Sequence, residues 1–230
     1  MKTKSIFITA TGTDIGKTYI SALLVKTMRK YKFNCGYYKP VLSGAETDNN
    51  GNIVPGDVKF VLENAEINST NFKNYLSYCF TDPISPHLAA ERANTSISIE
   101  KIKKDYTKLS KQFEYMVVEG AGGITCPLAT KDKILLLPEV IKSLDSGIII
   151  VADAGLGTIN STLLTVEYAK QHNIKILGII LNNFEKENYM HKDNKLQIEK
   201  LTKVEVITTV KNAQQNIDIT KDKLITLFNK

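Results

Sequence analysis

The chain has 230 residues, 43% hydrophobic and 23% charged, a composition typical of a soluble globular protein with one domain. The longest apolar runs, such as 147–152, are too short to cross a bilayer, and the apolar stretch 6–8 is too short for a signal peptide, so we expect a cytoplasmic protein without a membrane segment. The net charge of +6 comes largely from scattered lysines, which argues against a nucleic-acid partner. The three cysteines (Cys35, Cys79, Cys126) are dispersed, which argues against a disulfide framework and a cysteine metal site.

Strand and helix patterns alternate along the chain. Strands are predicted at 4–9, 35–39, 115–119, 147–153, 174–181 and 204–210. Helices are predicted at 17–31, 57–65, 86–93, 99–112, 137–145, 159–172, 187–201 and 218–228. Most strands are continuous runs of Ile, Val and Leu, which is typical of strands buried on both faces of a parallel sheet. The alternation predicts one α/β domain over residues 1–230, a doubly wound, mostly parallel sheet with helices on both faces.

The first strand leads into a loop with phosphate-binding chemistry, residues 10–18, here called the phosphate loop. It ends in Gly16-Lys17-Thr18, and an apolar helical pattern starts directly afterwards. The loop N–H groups and the helix N-terminus attract an anion, Lys17 reaches the outer phosphates, and the Thr18 hydroxyl can hold Mg²⁺. The usual G-x-x-x-x-G-K-[ST] spacing requires glycine where Thr11 stands, so Gly12 is the only upstream residue of the loop that is free to take a positive φ at no cost. The loop predicts a bound nucleoside triphosphate.

An ordinary strand-to-helix loop that happens to spell Gly-Lys-Thr is the alternative, and the strand and helix context disfavours it. Three further strand ends carry chemistry: 38–44, 119–123 and 181–183. Asp57 opens the helix after the stretch 43–56, which looks the most flexible in the chain. Ligands gather beyond the carboxyl ends of parallel strands. We therefore expect a lysine, two carboxylates and a glycine-rich turn to converge on one triphosphate and its metal.

Four motifs in this order resemble those of the dethiobiotin synthetase family, ATP-dependent enzymes of biotin synthesis within the P-loop group. The resemblance covers nearly the whole chain. The motifs are Thr11-x-Thr13-x-x-Gly16-Lys17-Thr18, Lys39-Pro40-Val41 with Ser43-Gly44, Pro83-x-Ser85-Pro86-His87, and Val118-Glu119-Gly120-Ala121-Gly122-Gly123. The resemblance implies a homodimer that uses ATP, Mg²⁺, 7,8-diaminononanoate and CO₂ or bicarbonate.

The implied reaction has three steps. One amine of the diamine captures CO₂ as a carbamate, ATP phosphorylates the carbamate to a carbamic-phosphoric anhydride, and the second amine closes a cyclic urea. The products are dethiobiotin, ADP and phosphate. Because a carbamate is a poor electrophile, the phosphoryl group is needed as a leaving group, and the protein mainly positions the amines and neutralises charge.

The resemblance also implies roles for individual residues. Lys17, Lys39 and Thr13 are the expected catalytic residues, with Lys39 steadying the carbamate and the transferring phosphoryl group. The expected metal ligands are Thr18, Asp57 and Glu119, whose hard oxygens suit Mg²⁺. The expected nucleotide contacts are Asp14, Ile15, Gly16, Lys17, Thr18, Tyr19, Asp57, Glu119, Gly120, Ala121, Gly122, Asn182, Asn183, Ile207, Thr208 and Thr209.

Three of these positions depart from the family pattern. Asp14 replaces the usual glutamate, Asn183 stands where the family has aspartate, and Ile207 replaces a proline that begins the later base-contacting segment. Asn182 matches the family asparagine that reads the adenine edge, with a turn asparagine as the alternative. Without the resemblance, Lys39 reads as a surface lysine and the 120–122 stretch as a tight turn.

The expected substrate contacts are Ser43, Thr13, Asn160 and Tyr189. Ser43 would bond the carbamate or an amine. Asn160 belongs to a loop, 155–160, that opens a helix. The resemblance implies that this loop comes from the partner subunit and binds the carboxylate tail of the substrate, with Tyr189 near the same tail. His87 is expected in the substrate cleft or the dimer interface, whereas the other histidines, at 172 and 191, look like surface residues.

Two other protein classes share this fold. A partition-type switch ATPase would carry a second lysine early in the loop, and 10–13 has none. A cobyrinate-type amidating enzyme would add a glutaminase domain with a nucleophilic cysteine; we expect no room for one, and Cys126 before Pro127 has the wrong setting. An inactive nucleotide-binding paralogue is the third alternative, and the retained lysines and carboxylates argue against it.

Overall fold

The computed structural model of the chain describes residues 3–69, 71–131 and 133–229. Its strands are β1 (Lys4–Ala10), β2 (Cys35–Leu42), β3 (Glu46–Thr47), β4 (Ile53–Val54), β5 (Leu76–Cys79), β6 (Tyr115–Glu119), β7 (Pro127–Ala129), β8 (Leu135–Leu136), β9 (Gly147–Asp153), β10 (Ile176–Asn182) and β11 (Val206–Thr209). Its α-helices are α1 (Lys17–Lys30), α2 (Gly56–Asn64), α3 (Pro86–Arg92), α4 (Ile99–Ser110), α5 (Leu137–Ser143), α6 (Thr158–Gln171), α7 (Tyr189–Thr202) and α8 (Lys221–Asn229). A 3₁₀ turn covers Phe72–Tyr75.

A seven-stranded parallel sheet forms the centre of the molecule, in the order β11-β10-β9-β1-β6-β2-β5. Residues 148–152 of β9 are all fully buried. Since successive strand residues point to opposite faces, this run shows that both faces of the sheet are covered. The predicted doubly wound fold is confirmed, and the order of β1, β6 and β2 places three functional strand ends side by side.

The six predicted strands are all present, two of them, 115–119 and 147–153, with the predicted bounds. The strand predicted at 35–39 is longer and runs through Pro40 to Leu42. Proline is tolerated because β2 changes neighbour at this point: it pairs with β6 through Tyr38 and with β5 from Lys39. Lys39 therefore lies inside a strand and not at its end.

The sequence analysis missed the seventh strand of the sheet, β5. Its four residues, Leu-Ser-Tyr-Cys, are short and alternate between buried and half-buried positions. A four-residue stretch that includes a serine carries no continuous apolar run, so its local pattern is weak. The stretch 43–56 also holds structure that was not predicted, the β3–β4 hairpin, in which Asp48 accepts hydrogen bonds from the backbone N–H groups of Asn50 and Asn52.

Helix α1 anchors the phosphate loop to the core. Its side chains Ile20, Leu23, Leu24 and Met28 are buried at helical spacing. Each such side chain contributes about 1.5–3 kcal/mol relative to an exposed one. The first turn of α1 is therefore held rigidly against the sheet, next to the end of β1.

The two histidines expected at the surface, at positions 172 and 191, differ in their burial. His191 is buried, not a surface residue as expected: its Nδ1 accepts a hydrogen bond from the backbone N–H of Glu185, and its ring packs beside Phe184. His172 is half-buried and stacks on Tyr168. Within 3–69, 71–131 and 133–229, the helices lack the combination of length and apolar character that a membrane span requires.

Candidate active site

The phosphate loop has the backbone of an anion cradle. Gly16 takes a left-handed conformation, φ 95°, directly before the first turn of α1. Asp14 is the other left-handed residue of the loop, φ 57°, whereas Gly12 does not have a positive φ. An aspartate tolerates this conformation better than most side chains. The free N–H groups of the helix start thus face the space in front of the loop.

Asn182, at the end of β10, supports the loop from the side. Its Nδ2 donates to the carbonyl of Ile15 at 3.0 Å, and a Cβ added to Gly16 would lie 2.2 Å from that same nitrogen. Glycine is therefore required here by close approach as well as by φ. The Oδ1 of Asn182 is buried and has no hydrogen-bond partner among the described residues, which leaves an acceptor beside the loop.

Three charged side chains meet at the carboxyl end of β6, beside the middle of β2, and we call them the lysine–carboxylate cluster: Lys39, Asp57 and Glu119. The Nζ of Lys39 lies 2.6 Å from the Oδ2 of Asp57 and 2.6 Å from the Oε1 of Glu119. It also donates to the carbonyl of Gly120 at 3.3 Å. The Thr18 hydroxyl donates to the Oε1 of Glu119 at 2.7 Å, which joins the cluster to the phosphate loop.

The sheet and one helix bring the cluster together. In the β2–β6 ladder Tyr38 pairs with Val118, so the next residues, Lys39 and Glu119, come side by side. Asp57 lies in the first turn of α2, which packs against both α1 and β2. A carboxylate in the first turn is also favoured by the helix dipole. Four separate segments of the chain therefore deliver one site.

The two lysines of the site have opposite electrostatic situations. Burial by itself would lower the pKa of Lys39, but the charges and hydrogen bonds of Glu119 and Asp57 outweigh burial, and the pKa is raised. Burial, followed by the positive charge of Lys39, lowers the pKa of Lys17. The Nζ of Lys17 donates to the carbonyl of Gly12 at 3.1 Å. An anion bound at the phosphate loop would interact favourably with the ammonium of Lys17 and would raise its pKa again.

The oxygen donors of the site fit a magnesium ion. Thr18 supplies a hydroxyl, while Asp57 and Glu119 supply carboxylates, and all three touch one another or the same ammonium. Among the described residues there is no group of three or more His, Cys, Asp and Glu side chains that would form an all-protein metal cage. Magnesium typically binds through one or two carboxylates together with substrate phosphates, so this smaller oxygen set is appropriate.

The glycine-rich turn after β6 forms a further wall. The backbone N–H of Gly120 bonds the carbonyl of Ile8 on β1, and Gly122 is left-handed, φ 58°. A Cβ on Gly122 would lie 3.1 Å from the Sγ of Cys126 and 3.8 Å from the Oγ1 of Thr13. Thr13 and the partly exposed Ala121 of this turn thus border the same space. Burial raises the pKa of the Cys126 thiol to about 11, against the opposing charges of Lys17 and Lys39.

The remaining expected nucleotide contacts lie around the ends of β10 and β11. Asn183 is committed elsewhere, because its Nδ2 donates to the Oδ1 of Asp153 at 2.8 Å. The Thr208 hydroxyl donates to the carbonyl of Asp218, and Ile207 packs over Gly178, while Thr209 pairs with Leu181. On α1, the Tyr19 hydroxyl donates to the carbonyl of Gln214, which ties the segment after β11 to the helix of the phosphate loop.

The expected substrate contacts fall into two groups. Ser43 is half-buried directly after β2, close in sequence to Lys39. Asn160 and Tyr189 are exposed at the starts of α6 and α7, Tyr189 to 85%, and no hydrogen bond between described residues joins them to the cluster. The preceding loop is well braced: buried Asn194 donates to the carbonyls of Ala154 and Gly155 at 2.8 and 3.0 Å.

Sequence reasoning missed one residue that contacts the cluster directly. Tyr37 is fully buried, and its hydroxyl donates to the Oε2 of Glu119 at 2.7 Å. A tyrosine in an apolar strand reads as core. The available signal was the alternation of the strand, since residues 37 and 39 must lie on the same face.

Comparisons with known proteins identify the family to which the chain belongs. The model of a family described as an AAA domain matches residues 4–219. The ATP-dependent dethiobiotin synthetase BioD of Clostridium botulinum (strain Alaska E43 / Type E3) is 50% identical over 203 residues, 88% of each chain. The protein of the same name from Clostridium botulinum (strain 657 / Type Ba4) is 47% identical over 225 residues, 98% of each chain.

Solved structures support the fold alone, because their sequences are distant. A ParA family ATPase from Chlorobium tepidum TLS superposes with a TM-score of 0.56 at 14% identity, covering 98% of this chain and 90% of its own. The MinD cell division protein of Aquifex aeolicus gives a TM-score of 0.55 at 18% identity, covering 98% and 86%. With full-length relatives at nearly half identity and a phosphate loop joined to a lysine–carboxylate cluster, the chain belongs to the ATP-dependent dethiobiotin synthetase family.

Proposed function

We propose that the chain is an enzyme that closes the ring of dethiobiotin from 7,8-diaminononanoate and CO₂ at the expense of ATP, within biotin biosynthesis. The observation that carries the proposal is the position of the Lys39 ammonium, 2.6 Å from both Asp57 and Glu119, with Thr18 of the phosphate loop bonded to the same Glu119 oxygen. ATP at the phosphate loop would thereby lie beside the Lys39 ammonium, the cation that would steady the carbamate as phosphoryl acceptor.

The chemistry takes three steps. A nitrogen–carbon bond forms when one amine captures CO₂ and loses a proton, which leaves a carbamate. The γ-phosphoryl group of ATP then passes to a carbamate oxygen, ADP leaves, and a carbamic-phosphoric anhydride results. The second amine attacks the carbonyl carbon and loses a proton, the carbon–oxygen bond to phosphate breaks, phosphate leaves, and the cyclic urea closes.

The side chains divide this work. Lys17 and the N-terminus of α1 neutralise the outer phosphates, where negative charge grows during transfer. Lys39 keeps its proton because Glu119 and Asp57 raise its pKa, so it remains a cation that steadies the carbamate and the phosphoryl group. Thr13 and Ser43 supply hydroxyls that orient the amines and the carbamate.

The residues that would hold Mg²⁺ are Thr18, Asp57 and Glu119. When bound, the ion supplies positive charge to the phosphate oxygens during transfer. The Lys39 ammonium lies between the two carboxylates and offsets one of their two negative charges in the structure described here. We propose that this lysine turns toward the substrate as the nucleotide and its ion bind.

Base recognition is assigned to the ends of β10 and β11. The free acceptor on Asn182 is available to the exocyclic amine of adenine. Asn183, Tyr19 and 207–209 would border the base.

The carboxylate tail of the diamine is assigned to Asn160 and Tyr189 of a partner subunit in a cytoplasmic homodimer. The exposure of large apolar side chains on this side, Leu156 at 93% and Tyr189 at 85%, supports a protein contact there.

One assay tests the proposal directly. Phosphate release from ATP should require both diaminononanoate and bicarbonate, in the presence of Mg²⁺, and dethiobiotin should appear in equal amount by mass spectrometry. Reactions that omit the diamine or the bicarbonate are the matched controls. Phosphate release that ignores the diamine would favour a switch ATPase instead.

A further inference from the structure

Tyr37 is a buried side chain that contacts the candidate site without reaching any ligand. It is fully buried in β2, and its hydroxyl lies 2.7 Å from the Oε2 of Glu119. Burial, and then the negative charge of Glu119, raises the pKa of Tyr37 well above its ordinary value. The phenol therefore stays protonated and donates this hydrogen bond at any physiological pH.

The strand geometry explains why this contact forms. Tyr37 and Lys39 lie two residues apart in β2 and share one face, and Tyr37 pairs in register with Val117 of β6. Glu119 is two residues beyond Val117, so it also lies on that face. Lys39 lies beside Glu119 across the two strands, and Tyr37 lies two residues earlier in β2, so the two side chains approach the Glu119 carboxylate from different positions along the strand.

The two carboxylate oxygens of Glu119 accept hydrogen bonds from different donors. Oε1 accepts from Thr18 at 2.7 Å and from Lys39 at 2.6 Å, on the side of the phosphate loop. Oε2 accepts from Tyr37 on the core side. A buried carboxylate oxygen without a donor is unfavourable, and the hydroxyl of Tyr37 satisfies Oε2 only when Glu119 keeps its present rotamer.

We infer that Tyr37 is a positioning residue that fixes the carboxylate of Glu119 with Oε1 toward Thr18, Lys39 and the Mg²⁺–nucleotide. The inference rests on the proposed function for the identity of that ligand. Partners of a metal-binding carboxylate orient it, and their removal reduces metal affinity on the order of ten-fold or more.

The test compares two tyrosines in the same strand. Tyr37→Phe removes only the hydroxyl that reaches Glu119. Tyr38→Phe is the matched control, because Tyr38 is equally buried but its hydroxyl bonds Ser77 and the carbonyl of Ile102, away from the site. Each protein is titrated calorimetrically with ADP at several Mg²⁺ concentrations and without Mg²⁺.

For Tyr37→Phe we expect the Mg²⁺ concentration that gives half of the metal-dependent gain in ADP affinity to rise on the order of ten-fold. ADP binding without Mg²⁺ should stay within about two-fold of the parent, since the phosphate loop is unchanged. Tyr38→Phe should match the parent in both measurements. A parent-like Mg²⁺ dependence in Tyr37→Phe would overturn the inference.

A double-mutant cycle guards against a purely structural effect. In a Glu119→Gln background, adding Tyr37→Phe should change the Mg²⁺ dependence by less than about two-fold, because the carboxylate it orients is already gone. A full ten-fold effect in that background would also overturn the inference. These titrations use ADP and Mg²⁺ and need neither the diamine nor CO₂. A parent protein that binds Mg²⁺–ADP but forms no dethiobiotin would refute the proposed function. The titrations would still decide the role of Tyr37.

Discussion

The ammonium of Lys39 and the carboxylate of Glu119 lie 2.6 Å apart, although 80 residues separate them in the chain. Both are buried, and Asp57 is a second carboxylate that contacts the lysine, also at 2.6 Å. A buried ion pair of this kind is costly to desolvate and is weak evidence for stability, so its presence beside a phosphate loop points to chemistry. Four predictions test the arrangement.

Lys17→Ala should reduce turnover by several orders of magnitude, about 3–6 kcal/mol of barrier, because the charge on the outer phosphates loses its counter-ion. Lys30→Ala is the control: Lys30 is an exposed residue at the other end of the same helix. Initial rates of dethiobiotin formation are the measurement. Near-normal turnover in Lys17→Ala would refute the role of the phosphate loop.

Lys39→Ala should retain nucleotide binding and lose ring closure, because the lysine contacts the carboxylates and not the loop that holds the phosphates. Lys59→Ala in α2 is a suitable control, since its ion pair with Glu63 is exposed and such pairs contribute little. ADP affinity and product formation are measured on the same preparations. If Lys39→Ala no longer binds ADP, Lys39 is a nucleotide ligand and the catalytic assignment is wrong.

Nucleotide binding should take up a proton at alkaline pH. Burial and the neighbouring charge of Lys39 lower the pKa of Lys17 in the free protein, whereas a polyphosphate beside the ammonium raises it again. The complex then holds more protons than the free protein, so affinity falls as pH rises through this window. Calorimetry at about pH 9 in two buffers with different ionisation enthalpies measures the uptake.

Lys17→Arg separates this effect from other titrations. A guanidinium stays protonated, so the variant should bind nucleotide without the proton uptake. Equal uptake in parent and variant would assign the proton to another group.

Gly16→Ala should impair the phosphate loop more than its backbone conformation alone explains. A non-glycine residue at φ 95° costs about 1–2 kcal/mol. The added Cβ would also meet the Asn182 amide at 2.2 Å and displace it. We therefore expect loss of stability in urea unfolding together with at least a ten-fold loss of ADP affinity, about 1.4 kcal/mol.

Gly51→Ala is the matched control for that substitution. Gly51 has a similar φ of 78° in the β3–β4 hairpin, but an added Cβ there meets nothing within 4 Å. It should lose stability without losing ADP affinity. Indistinguishable effects of the two substitutions on ADP binding would contradict the role assigned to the Asn182 contact.

Local sequence patterns accounted for the frame of this protein. The apolar run of β1, the Gly16-Lys17-Thr18 loop and the helical spacing of α1 lie in one contiguous segment, so each could be predicted without knowledge of the fold. The same holds for the other five predicted strands, most of which are continuous runs of Ile, Val and Leu typical of burial on both faces. Strand β5 was missed because its four residues, Leu-Ser-Tyr-Cys, form no continuous apolar run.

The assembly of the site depends on how the strands and helices pack together. The sequence alone contained the phosphate loop, Lys39, Asp57 and Glu119, and the resemblance implied that they act together. The hydrogen bond from Tyr37 to Glu119 depends on β2 lying next to β6 in one register, and a shift of one residue would turn Tyr37 to the other face. Strand order and register arise from long-range packing, and no stretch of neighbouring residues encodes them.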